Sequence, residues 1–256
     1  MRIMIRIAYD GTAYNGFQSQ INGKAVQDVI NDALEDLFRK PVRTLSASRT
    51  DTGVHAEGNV AVFDTDTRIA PPKLAFALNA RLPEDIRIVS SERVPDDFHP
   101  RFQRTVKTYH YRILNRAHPD PLTRNTEFHY YYPLDAERMD EAARYFIGEH
   151  DFLSFCASGY SSRTTVRRIF DSGVRREGDR ITFSITGEGF PYKMVRIMAG
   201  TLIEIGAGKY LPGRIPEILK ARDRSRAGPT AVAKGLVLMS IEYPDYIPAH
   251  TSLDLR

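Results

Sequence analysis

The stretch that most restricts the fold lies between Lys24 and Arg39. Its apolar residues fall at Val26, Val29, Ile30, Ala33, Leu34 and Leu37, a spacing that lines them up on one side of an α-helix. Pro41 ends the pattern. A helix with one apolar face must lay it on something, and the neighbouring segments read as strands. Ile3 to Tyr9 is rich in β-branched residues, and residues 42–49 and 59–63 follow the helix as two more strands. Pro71 and Pro72 open a second helix through "KLAFALNARL", and Ile86 to Val94 is a further strand. The first half of the chain therefore reads strand, helix, strand, strand, helix, strand.

The second half repeats the mixture without repeating the sequence. Lys107 to Leu114 and "FHYYYPL" (128–134) are extended. Asp135 is placed to cap a helix whose apolar positions are Met139, Ala142, Ala143, Phe146 and Ile147. Val166 to Val174 and Ile181 to Thr186 are strands, Met194 to Ile205 and Ile215 to Arg222 are helices, and Leu236 to Tyr243 is a closing strand. The expected class is α+β: two similar α/β subdomains, 1–105 and 106–256, sharing a mostly antiparallel sheet with helices on one side. No Gly/Ser-rich linker separates the halves, so one continuous structure is expected.

Several function classes drop out early. Cys156 is the single cysteine, which excludes an internal disulfide and a Cys-based zinc cluster. The seven histidines show no compact ligand spacing, so no metal is expected. Arg2 and Arg6 interrupt the apolar start, which argues against a signal peptide. No apolar run approaches the roughly 18 residues of a membrane span. A cytoplasmic protein with no membrane contact is the expectation. The net charge of +4 is modest, but its distribution is uneven. Residues 101–116, "RFQRTVKTYHYRILNR", carry five Lys/Arg and no acid, and "RTTVRR" (163–168) and "ARDRSR" (221–226) add to them. Basic residues interleaved with Tyr and Phe suit a polyanion with stackable bases. Edge strands guarded by charge produce the same pattern.

Two motif readings fail on inspection. "VAVFDTDTR" (60–68) resembles the Asp-x-Asp of aspartyl-phosphate phosphatases, but Arg68 stands where that pattern wants a small residue; Asp-x-Asp after a strand is ordinarily a polar turn. "EIGAGKY" (204–210) echoes a phosphate loop, but Ile203 and Tyr210 occupy positions where the motif needs Gly and Ser or Thr. "SASRTDTGVHAEGNVAVFD" (46–64) is different. Asp51 sits in a corner between two extended segments. By type it suits a turn or a cap. Arg49 lies two residues earlier on extended chain, on the same face, within reach of the carboxylate. A carboxylate held in such a corner also suits a nucleophile or a base.

"RTDTGVHA" (49–56) resembles the signature of the tRNA pseudouridine synthase A family. So do, in order, "YDGTAYNGFQSQ" (9–20), "VQDVINDAL" (26–34), "ALNARLPEDI" (77–86), "DDFHPRF" (96–102), "KTYHYRI" (107–113), "HDFLSF" (150–155), "GFPYKMVRIMAG" (189–200) and "KGLVLMSIEY" (234–243). One departure is Val232, which stands in place of a usual proline. The resemblance implies the pseudouridine synthase fold, with the active-site cleft between the two subdomains. It implies an enzyme that isomerises uridine to pseudouridine on the 3′ side of the tRNA anticodon stem–loop, without a cofactor and as a homodimer. It further implies that Asp51 is catalytic, that Tyr109 stacks on the uracil or takes the C5 proton, and that Arg196 pairs with the aspartate. Arg49 either shares that pairing or enters the RNA in place of the turned-out base. Asp51 has three roles open to it: addition to C6, attack on C1′, or removal of a ribose proton. The competing class is a non-catalytic RNA-binding protein of the same fold.

Overall fold

The computed structural model describes residues 1–159 and 163–246. In chain order the strands are β1 (Arg2–Tyr9), β2 (Leu45–Ser46), β3 (His55–Asp64), β4 (Ile86–Val94), β5 (Val106–Leu114), β6 (Phe128–His129), β7 (Gly148–Asp151), β8 (Val166–Glu177), β9 (Arg180–Gly187) and β10 (Leu236–Glu242). The helices are α1 (Val26–Phe38), α2 (Leu74–Asn79), α3 (Ala136–Arg144), α4 (Met194–Gly206) and α5 (Arg214–Ala221).

All ten strands form one sheet. Its main path runs β4-β1-β3-β10-β5-β9-β8-β7, with β2 paired to β3 and β6 to β5. Pairing along the main path is antiparallel except at β3–β10, where Val237 faces His55 and Leu238 faces Ala56 in parallel. The last strand of the chain thus sits in the middle of the sheet, between β3 and β5. A single buried cluster continues across it from Ile3, Ile5 and Ile7 through Leu238 to Tyr111, Phe183 and Ile197. Along β9, Ile181, Phe183 and Ile185 are buried while Thr182, Ser184 and Thr186 are only half-buried, the alternation of a sheet with one covered face. Helix α1 packs against α2 and α3 against α4, while α5 lies against β7.

The expected helices are present, and the differences have local causes. The strand expected over 42–49 shrinks to Leu45–Ser46. Before it, the Asn31 side chain takes both the Thr44 N–H (3.1 Å) and its hydroxyl (2.9 Å), so this backbone is held by a helix rather than by a ladder. β3 begins four residues earlier than expected because its first residues pair with β10. Of 128–134 only Phe128–His129 pairs; Asn115 Nδ2 instead takes the Tyr130 and Tyr132 carbonyls. Helix α3 starts at its Asp135 cap, whose carboxylate accepts from the Arg138 N–H at 3.0 Å, but ends before Phe146. Val232 has φ −61°, the value a proline ring imposes, so the departure leaves the loop its shape.

Candidate active site

Asp51 owes its position to three neighbouring backbones. The Asp51 carbonyl accepts from the Val54 N–H at 3.1 Å and closes the turn into β3. The Phe17 N–H donates to the Thr50 carbonyl at 3.2 Å, and the Gly53 N–H to the Tyr14 carbonyl at 3.4 Å. Gly16 makes this approach possible. Its φ is +82°, and a Cβ there would lie 2.5 Å from the Thr50 oxygen, so no other residue fits without moving the loop. Beneath the turn lies a buried polar network. The Tyr9 and Thr50 hydroxyls lie 2.7 Å apart, and fully buried Asn59 donates through Nδ2 to the Tyr9 oxygen and to the Ser48 carbonyl, both at 3.2 Å. Every buried polar group in such a network has a partner, which fixes geometry more tightly than apolar packing does.

Arg196 meets Asp51 from the other half of the chain. Its Nη1 donates to Asp51 Oδ2 at 2.8 Å, and its Nε donates to the Ala231 carbonyl at 2.8 Å. The Ala231 N–H returns a bond to the Arg196 carbonyl at 3.0 Å. The segment 228–231 can lie this close to α4 because of Gly200, where a Cβ would meet the Pro229 oxygen at 1.9 Å. Arg196 stands in the first turn of α4, where the helix dipole disfavours a cation. The Asp51 carboxylate offsets that. The geometry joins Arg196 to Asp51, and Arg49 is exposed and lines the same cleft.

Tyr109 lies on the buried face of β5, opposite Leu238 of β10 and Ile185 of β9. Its hydroxyl shares a hydrogen bond with that of Ser48 at 3.2 Å, and its ring meets Phe190 edge-on at 5.2 Å. Burial, joined by the nearby Asp51 charge, pushes the phenol up to about 12. It stays protonated at neutral pH. Asp51, Tyr109, Arg49 and Arg196 all line one open cleft of about 990 Å³.

Ser48, Phe190 and Lys107 also line this cleft and were not singled out from sequence. For Lys107 a signal existed: it lies two residues before Tyr109 on a strand, and therefore on the same face. Ser48 and Phe190 carried none, because both are brought in by long-range pairing. Among the described residues no three of His, Cys, Asp and Glu gather as a metal site, and no helix is long and apolar enough to cross a membrane.

The profile of a family described as tRNA pseudouridine synthase matches residues 5–103 and 142–244. A protein of Acetivibrio thermocellus called tRNA pseudouridine synthase A is 46% identical over 241 residues, covering 94% of this chain and 99% of the relative. One of the same name from Halalkalibacterium halodurans is 44% identical over 237 residues, covering 92% and 90%. A third, from Bacillus velezensis, is 42% identical over 245 residues, covering 95% and 99%. The matched regions contain Asp51, Arg49 and Arg196, whereas Tyr109 falls between the two matched blocks of the profile.

Proposed function

This chain belongs to the tRNA pseudouridine synthase family, and from that premise we propose that it isomerises uridine to pseudouridine in the anticodon stem–loop of tRNA, with Asp51 as the reacting group. The observation that carries the assignment is the 2.8 Å ion pair between Arg196 and Asp51, in the lining of a cleft that Tyr109 also lines. The reaction breaks the N1–C1′ bond and forms a C5–C1′ bond; the C5 proton leaves and N1 gains one. No electrons are transferred to or from an outside group, so side chains suffice. A non-catalytic RNA binder gains nothing from a carboxylate set among phosphates.

The roles follow from position. Arg196 holds Oδ2 and so fixes the direction in which the Asp51 carboxylate faces the nucleotide. Each of the three roles open to Asp51 requires it to face the base and its ribose. The Tyr109 ring offers a flat partner for the uracil, worth about 1–3 kcal/mol of stacking per base. Its protonated hydroxyl suits a hydrogen bond to the base; acting on the C5 proton requires that it first pass its own proton on, and Ser48 is the adjacent hydroxyl. Arg49, at the rim, suits the space the base vacates. Turning that base out of a stem costs a few kcal/mol, offset by the cations around the cleft.

A homodimer, a cytoplasmic location and a division of the chain near residue 105 into two α+β halves complete the proposal; the first rests on the resemblance to the tRNA pseudouridine synthase A family, the other two on the pattern of the sequence itself. The test is release of tritium from tRNA labelled at uridine C5, with no metal added. Release that depends on the protein supports the assignment. Tight tRNA binding with no release turns it toward the non-catalytic reading.

A further inference from the structure

Among the cations that line the cleft, Lys107 has no part in the roles given above. Lys107 and Tyr109 leave β5 on the same face and reach the same short segment, Tyr109 to Ser48 and Lys107 to the Ala47 carbonyl at 3.1 Å. One carbonyl occupies one of three ammonium donors. The charges that act on Lys107 are those of Arg49, from the stretch before Asp51, and Arg101, from the stretch before β5. Both repel it, and all three line the cleft. The cleft's two carboxylates are engaged elsewhere. Asp51 is held by Arg196 at 2.8 Å, and Glu188 lies 3.9 Å from Arg104. Burial first, then the two arginines, push the Lys107 ammonium down to about 8. Like charges gathered on one wall raise the local concentration of anions, and an anion bound beside Lys107 would relieve its repulsion by the two arginines.

We propose that Lys107 and Arg101 form a phosphate subsite, which grips the RNA backbone phosphodiester adjoining the nucleotide turned toward Asp51. The proposal rests on the tRNA reading above and names where the backbone is held. Lys107 is then a binding residue whose bond to Ala47 aims it, and the same bond ties the phosphate grip to the segment that leads into Asp51.

The test compares tRNA binding by the wild type, Lys107→Met and Arg101→Ala across a range of salt concentrations. Each lost phosphate contact should make the slope of log K against log[salt] shallower by about 0.7–0.9. Affinity near 0.1 M salt should fall about tenfold for each variant. KM for tRNA should rise by a similar factor, with a smaller change in kcat. Lys107→Met should melt no lower than the wild type, because a repelled charge has gone. An unchanged slope in both variants would overturn the proposal. So would a Lys107→Met protein that melts lower and loses kcat at unchanged KM, since that is the behaviour of a strut for Ala47. Arg101 is exposed, so Arg101→Ala reads the subsite whatever Lys107→Met does to folding. The slopes come from binding alone; absence of pseudouridine with the wild type would count against the functional reading and leave the subsite comparison standing.

Discussion

Replacing Arg196 by Met keeps most of the side chain's length and removes both of its bonds, to Asp51 Oδ2 and to the Ala231 carbonyl, each 2.8 Å. The two charged side chains are 14% and 19% exposed, so water reaches them but poorly. Removing one partner of a fully buried pair costs about 3–5 kcal/mol. Discounted for partial exposure, the loss here is about 2–3 kcal/mol. For a chain of this size that lowers the melting temperature by about 4–12 °C. The more discriminating quantity is the coupling to Asp51. Met at 196 strands the carboxylate, whereas Asn at 51 leaves nothing charged to strand. In a double-mutant cycle the Arg196→Met loss should therefore be smaller by about 1–2 kcal/mol when Asp51 is already Asn. Urea unfolding of the four proteins measures it. Turnover by Arg196→Met should fall about thirtyfold or more, because about 2 kcal/mol of held orientation is lost, with KM for tRNA changing less. Additivity within about 0.3–0.5 kcal/mol, or turnover near that of the wild type, would refute a directing role for Arg196.

Tyr109→Phe keeps the ring and its edge contact with Phe190 but loses the bond to Ser48; it should bind tRNA and turn over far more slowly, while Tyr109→Leu should also lose about 1–3 kcal/mol of stacking in binding. Full activity for the Phe variant would reduce Tyr109 to a platform. Gly16→Ala places a Cβ 2.5 Å from the Thr50 oxygen at φ +82°. It should cost about 1–3 kcal/mol in stability and depress turnover by shifting the Asp51 loop; a melting curve and turnover both like the wild type would show that the loop is set elsewhere. The depressed Lys107 pKa makes stability pH-dependent. Folded Lys107 loses its proton near 8 and the unfolded side chain near 10.5, so between those values the unfolded state binds more protons and stability rises with pH. The unfavourable contribution is fully present below about pH 8 and relieved by about pH 10.5. Urea unfolding should show Lys107→Met ahead of the wild type by more at pH 7 than at pH 10; a gap that does not change with pH would contradict this.

What the sequence disclosed was local. The α1 stripe, the Asp135 cap and the Val166 and Ile181 strands follow from spacing and residue type. The place of β10 between β3 and β5 does not, because strand order depends on contacts between opposite ends of the chain. That order carries Tyr109 and Asp51 into one cleft, which residue spacing does not show and only the family resemblance implied. The strand expected at 42–49 was shortened to Leu45–Ser46 for a related reason: its β-branched residues fit a ladder, but Asn31, on α1, takes the backbone of Thr44. Nearness in sequence favours Arg49 as a partner of Asp51, whereas the ion pair with Arg196, 145 positions further along the chain, cannot be read from spacing. The bridge from Arg196 to Ala231 left a trace in retrospect: Gly200 sits one helical turn after the arginine, where another backbone has to pass.

The most direct test of the account is pseudouridine formation by Asp51→Asn at saturating tRNA, measured beside a melting curve and a binding isotherm for the same protein. Asn is the same size and suits a turn as well as Asp does, so the fold should hold. Affinity for tRNA should stay within about tenfold, or 1.4 kcal/mol, since one negative charge has been taken away from the phosphates' neighbourhood. The account predicts a folded protein that binds tRNA and forms no detectable pseudouridine. Substantial pseudouridine formation by folded Asp51→Asn would contradict the assignment of Asp51 as the reacting group.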